Sequence, residues 1–452
     1  MQNPTTIDRR TFVTRTGAVA GALALAGCAG TDEDDAETDG DDDLEEAADE
    51  PTDDVEAVPE FIEVEDPPDA VYVPTHREAM RTLEPVETGH VAIAPMLSYP
   101  HPFWIVAGGD EESVSREEPE EARGVHLMFT VWDRETGVVL PVDDGAQLRL
   151  ERDGEGVGSP RSPWTMISQE MGFHFGDNVT LPEDGTYTVE VELPPLSTRL
   201  TGDLEGRLDE SVTATFEFEY DDEFRQTVVG GIEYLDEDVW GERGALEPME
   251  HGDHGSDDHD GHVDDGHDDH HDHSDDDHGH DDHDDEDDGH DGHHDDHGHH
   301  DVPYSALPEI DDYPGTILVD PDAGAAPDDT RDLPSSGEAR FLATLLESDH
   351  RLADDEGHYL LVSPRTPYNR VPLADMSLSV TIDRDGTVVD ETTLEQTIDG
   401  TYDLHYGAVL ADVEAGDTVT VEIESPPQVA RHQGYETAFL EMPPVEFRVP
   451  EE

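Results

Sequence analysis

Thr188-Val189-Glu190-Val191-Glu192-Leu193-Pro194-Pro195 decides the reading of the fold. Val189, Val191 and Leu193 alternate with Glu190 and Glu192, and a period of two with β-branched residues describes a strand with one buried and one wet face. The pattern returns as Thr420-Val421-Glu422-Ile423-Glu424-Ser425-Pro426-Pro427. Phe216, Phe218 and Tyr220 alternate with Glu217 and Glu219 in the same way, and turn signals such as Asp153-Gly154, Asp385-Gly386 and Ala415-Gly416-Asp417 punctuate the runs. No long stretch has a helical period. The expected fold class is all-β: two tandem immunoglobulin-like β-sandwiches joined by a disordered His/Asp-rich loop.

Further matches support two copies of one unit. His174-Phe175-Gly176 corresponds to His405-Tyr406-Gly407, and Leu97-Ser98-Tyr99-Pro100-His101 to Leu346-Glu347-Ser348-Asp349-His350. The expected organisation is a signal peptide over 1–28, an acidic disordered tether over 29–68, a first sandwich over 69–240, a His/Asp tract over 241–303, and a second sandwich over 304–452. The tether is rich in Asp, Glu, Ala and Thr and has too little apolar surface to order itself.

Outside these units the sequence speaks of export and charge. Arg9-Arg10 precedes a short apolar run that ends in Leu25-Ala26-Gly27-Cys28. Twin arginines before such a run read as a twin-arginine export signal, and the closing box predicts cleavage before Cys28 and lipidation of that cysteine. Cys28 is the only cysteine, so no intrachain disulfide or thiolate metal site is available. The formal net charge is −93, which argues against nucleic acid as a partner. An acidic chain whose basic residues are overwhelmingly arginine resembles proteins of extreme halophiles.

Two groups of residues suggest metal chemistry. The tract places His251, His254, His259, His262, His267, His270, His271, His273, His278, His280, His283, His290, His293, His294, His297, His299 and His300 among carboxylates. Imidazoles at that density predict multiple low-affinity sites for zinc, copper or nickel. The second group is the His-aromatic-Gly element with methionines ahead of it, Met166 and Met171 before His174. Thioether with imidazole suits copper, and further imidazoles suit ferrous iron.

Gly172-Phe173-His174-Phe175-Gly176-Asp177-Asn178 and Leu404-His405-Tyr406-Gly407-Ala408 resemble the hallmark stretch of the bacterial periplasmic iron-transport accessory lipoproteins, which bind copper and iron on an immunoglobulin-like sandwich. The resemblance implies His174 and His405 as ligands, Met166 as the first-half methionine with Met171 nearer in sequence, and His101 and His350 as early-strand histidines. It implies His432 as the late histidine of the second half, with Leu200 in its place in the first. The second half lacks the methionine, and the family's acidic residue two positions after the early histidine is missing from both halves. His126 reads as structural by its alternation, and His76 has no nameable partner.

The resulting expectation is a lipid-anchored protein on the extracellular face of the membrane, not an enzyme. It would capture iron or copper and present the metal to a membrane permease, its two halves packed as an intrachain pseudo-dimer. The alternatives are a zinc or manganese ABC-uptake lipoprotein, which should show α/β lobes, and a structural envelope protein that buffers metal incidentally.

Overall fold

The computed structural model describes residues 61–109, 113–120, 123–142, 144–249, 302–322, 327–353 and 357–451. In the first half, Val91–Ser98, Gly124–Asp133, Gly172–Thr180 and Trp164–Ser168 lie side by side in that order, all antiparallel. A second sheet orders Val212–Tyr220, Gly185–Leu193 and Gln147–Arg152. The alternating octet therefore lies at the centre of a sheet. Val189 and Val191 are fully buried, and Glu190 and Glu192 face Arg149 across the strand pair.

The second half repeats this arrangement strand for strand. Ala339–Leu346, His358–Arg365, Asp403–Leu410 and the Glu395–Asp399 end of Thr387–Asp399 form one sheet. Val445–Arg448, Thr418–Ser425, Ser377–Arg384 and the beginning of Thr387–Asp399 form the other. The 13-residue strand Thr387–Asp399 thus passes from sheet to sheet. The first half breaks the corresponding path between Gly156 and Trp164, where Pro160 and Pro163 offer no N–H to a ladder. The architecture is all-β and sandwich-like. Among the described residues Asp222–Gly230 is the α-helix, so the helical lobes of an ABC-uptake lipoprotein are absent there.

The two halves exchange short strands. Ala430–Arg431 of the second half pairs in parallel with Trp164–Ser168 at the edge of the first-half sheet, in the register Met166↔Ala430 and Ile167↔Arg431. Reciprocally, Arg199–Thr201 of the first half pairs in parallel with Thr387–Asp399, in the register Leu200↔Ile398 and Thr201↔Asp399. Each exchange covers an edge that would otherwise carry unpaired backbone groups. It also corrects the repeat alignment. His432 N–H donates to Ile167 O and Gly400 N–H donates to Thr201 O, so the residue equivalent to His432 is Thr201 and not Leu200.

Gly124–Asp133 is buried along its whole length. Successive side chains point to opposite faces of a sheet. Val125, Leu127, Phe129 and Val131 enter the aliphatic core. His126 and Met128 point the other way; His432 of the second half lies against His126, and Met96 and Met171 pack on Met128.

Candidate metal centre

On that outer face, position by position across the strands, stand Ser98, His126 and Asn178 in one row and Met96, Met128 and Gly176 in the next. His174 pairs with Met166 on the edge strand. The exchanged strand then brings in His432. Its position is fixed by Arg431, a fully buried guanidinium that donates to the carbonyls of Ala438, Tyr435 and Pro427 and so closes the loop carrying His432.

One ligand atom each of His101, His126 and His432 lies within 4.8 Å of the other two, and all three residues are buried. His174 Nε2 sits 3.2 Å from His432 Nε2. That is close to the separation of about 3 Å expected for two nitrogens each about 2 Å from one ion. Glu78 reaches into the group, with Oε2 3.2 Å from His101 Nε2 and Oε1 3.2 Å from His432 Nδ1. Phe61 stacks on the His101 ring with centroids 5.9 Å apart. A pocket lined by His76, Glu78, Met80, Glu170 and Met171 leads to His101 and His432.

The residues fit a metal ion. His126 Nε2 is buried without a hydrogen-bond partner, a costly state for a polar atom unless something ligates it. A Cβ at Gly176 would lie 2.8 Å from Met166 Sδ and 3.1 Å from His126 Nε2, so this glycine keeps clear the space where thioether and imidazole converge. The set of imidazoles, one thioether and one carboxylate suits copper.

Protonation is arranged to match. Burial, reinforced by the His432 ring, lowers His174 to about 3. Burial and the neighbouring His101 and His432 hold His126 well below the usual imidazole range. Burial also lowers His432, against the pull of Glu78. Burial would lift the Glu78 carboxyl, but His101 and His432 hold it well below the ordinary value. Burial would lower His101 likewise, yet the Glu78 carboxylate raises it. In the metal-free pocket Glu78 thus favours a proton on His101, while burial favours the neutral form of the other imidazoles.

Of the residues singled out from the sequence, the structure gathers His101, Met166, His174 and His432 here. Met171 lines the approach. His350 and His405 stand elsewhere. His405 Nε2 faces Tyr359 Oη at 3.2 Å, and burial lowers it to about 4. His350 contacts Tyr402 Oη. In the register of the repeat, Tyr359 occupies the place of His126, Thr397 that of Met166, and Thr201 that of His432. Asp399 there pairs with Arg351 and accepts from Thr201, so an ion pair fills the ground that imidazoles hold in the first half.

Two expectations are corrected. His126, expected to be structural, faces the cluster. An acidic residue does stand two positions after an early histidine: Glu78 follows His76, whose partner is Tyr99 Oη at 2.8 Å. The spacing His76-Arg77-Glu78 was the signal that could have found it. Cys28 and the tract histidines from His251 to His300 lie outside the described residues.

Among curated proteins no match to this chain was found. Two solved structures, both of FetP from uropathogenic Escherichia coli strain F11, are similar to part of it. A copper-bound variant is 18% identical and covers 31% of this chain and 97% of its own, with a TM-score of 0.24. The protein as isolated is 19% identical and covers 31% and 95%, with a TM-score of 0.24. Residues 311–448 match a family described as a domain of unknown function, DUF7350.

Proposed function

We propose that this chain is an extracytoplasmic copper-binding protein, without catalytic activity, that holds the ion in the cluster of His101, His126, His174, His432, Glu78 and Met166. The carrying observation is the convergence of three buried imidazoles, drawn from both halves, to within 4.8 Å. His126 Nε2, buried beside these imidazoles without a hydrogen-bond partner, is free to ligate. Neutral imidazoles are the ligating form, and burial keeps His174, His126 and His432 in that form.

The remainder of the reading rests on the sequence. The twin-arginine segment and the Cys28 box support export and a lipid anchor on the outer face of the membrane. The His/Asp tract supports capture of loosely bound ions for the central site, and a membrane permease is the natural recipient, in an uptake route for copper or iron. Copper titration of the full chain against a competing chelator tests the centre. Wild type should hold one more tight equivalent than His126→Ala/His432→Ala, and equal capacity in the two would overturn the reading. Cys28→Ser tests the anchor, since the protein should then leave the membrane fraction.

A further inference from the structure

Five of the nine methionines of the chain lie between residues 80 and 171. Met96, Met128 and Met171 form a buried group of their own, separate from the aliphatic core, with Met80 packed at its edge. Met96 and Met128 are directly opposed on neighbouring strands. Both Met80 and Met171 line the pocket that leads to His101 and His432. On the far side the row runs on to Gly176, where the place of a Cβ is 3.4 Å from Met128 Cγ and 2.8 Å from Met166 Sδ.

Packing does not require these thioethers. At the same register positions the second half carries Thr344 opposite Leu361, beside Gly407, and that sheet closes with neither methionine. The first half therefore concentrates sulfur where branched or polar side chains suffice, and does so beside imidazoles. A thioether is neutral, polarizable and soft, and it selects monovalent copper over harder divalent ions.

We infer that Met96, Met128 and Met171 form a second site, of thioethers alone, for a soft monovalent cation of the Cu(I) class, with Met80 at its entrance. The two donor sets then divide the oxidation states. Imidazole and carboxylate hold the divalent ion, and the methionine group holds the monovalent one. Each ion enters in its own state and no electron transfer is involved. This site goes beyond the histidine centre and does not depend on it, because its donors Met96, Met128 and Met171 are none of that centre's ligands.

The test uses the full chain. Cu(I) is titrated anaerobically against a chromophoric chelator into wild type and into Met96→Leu/Met128→Leu/Met171→Leu, which exchanges sulfur for carbon at nearly constant volume. The triple variant should lose one tight Cu(I) equivalent while it still takes up a tight equivalent of Cu(II) at the imidazoles. His126→Ala/His432→Ala should show the opposite pattern. Unchanged Cu(I) capacity and affinity in the triple variant would overturn the site. X-ray absorption of wild type loaded with a single equivalent of Cu(I) needs no variant: a first shell with at least two sulfurs supports the assignment, and a shell of nitrogen with one sulfur or none rules it out.

Discussion

At the scale of single residues, the centre is a set of groups whose charges were settled by folding. His174 titrates near 6.5 when unfolded and is lowered to about 3 by burial in the fold. Between those values the unfolded chain binds the additional proton, so stability falls as pH drops from about 6.5 toward about 3 and is unaffected by this residue above that window. Urea denaturation of wild type and His174→Gln at stepped pH should show a shallower acid loss in the variant. Glu78 and His101 make a second prediction. The Glu78 carboxylate favours a proton on His101, and metal entering the cluster competes with that proton, so copper uptake in weak buffer should release protons. In Glu78→Gln that release should shrink, because the carboxylate that chiefly raises His101 is gone and only the Pro102 carbonyl still favours its proton.

At the scale of elements, the pleat decides which side chains meet. Gly176 stands where Met128, Met166 and His126 converge, and a methyl there would meet Met166 Sδ at 2.8 Å. Gly176→Ala should therefore weaken copper binding strongly while circular dichroism keeps the sheet signal; full-strength binding in a folded variant would contradict the geometry. This level also shows what the sequence could disclose. The alternation Val189-Glu190-Val191-Glu192-Leu193 announces a strand half buried and half wet, and the structure agrees because that sheet has solvent on one side. The same alternation through His126 misleads, because Gly124–Asp133 is covered on both faces and burial there does not mark the core. His174 and Met166 were legible from local spacing. His432 is legible as a donor but falls on sequence to the site of His405, since a repeat read along one chain pairs each late histidine with its own half. A parallel exchange between halves leaves no periodic trace in sequence.

At the scale of the whole molecule, the first half supplies the sheet and the second half supplies His432 and the strand that docks it. A chain cut between residues 249 and 302 should remain one particle on size exclusion, since both exchanged strands stay in place and bury backbone groups that separation would expose. Residues 61–249 expressed alone should lack the tight site, and adding the second half should restore it. Copper binding by the first half alone, equal to that of the full chain, would refute the shared centre. The second half has no comparable centre of its own among the described residues, where Arg351 and Asp399 take the place of ligands.

The reciprocal exchange bears on dilution. A site shared by two separate subunits comes apart as the protein becomes scarce, and its affinity for metal then depends on how much protein is present. Here both contributors belong to one covalent chain, so their meeting is intramolecular and does not weaken with scarcity. Copper isotherms taken at widely different protein concentrations should superimpose. A few copies would hold the ion as firmly as many.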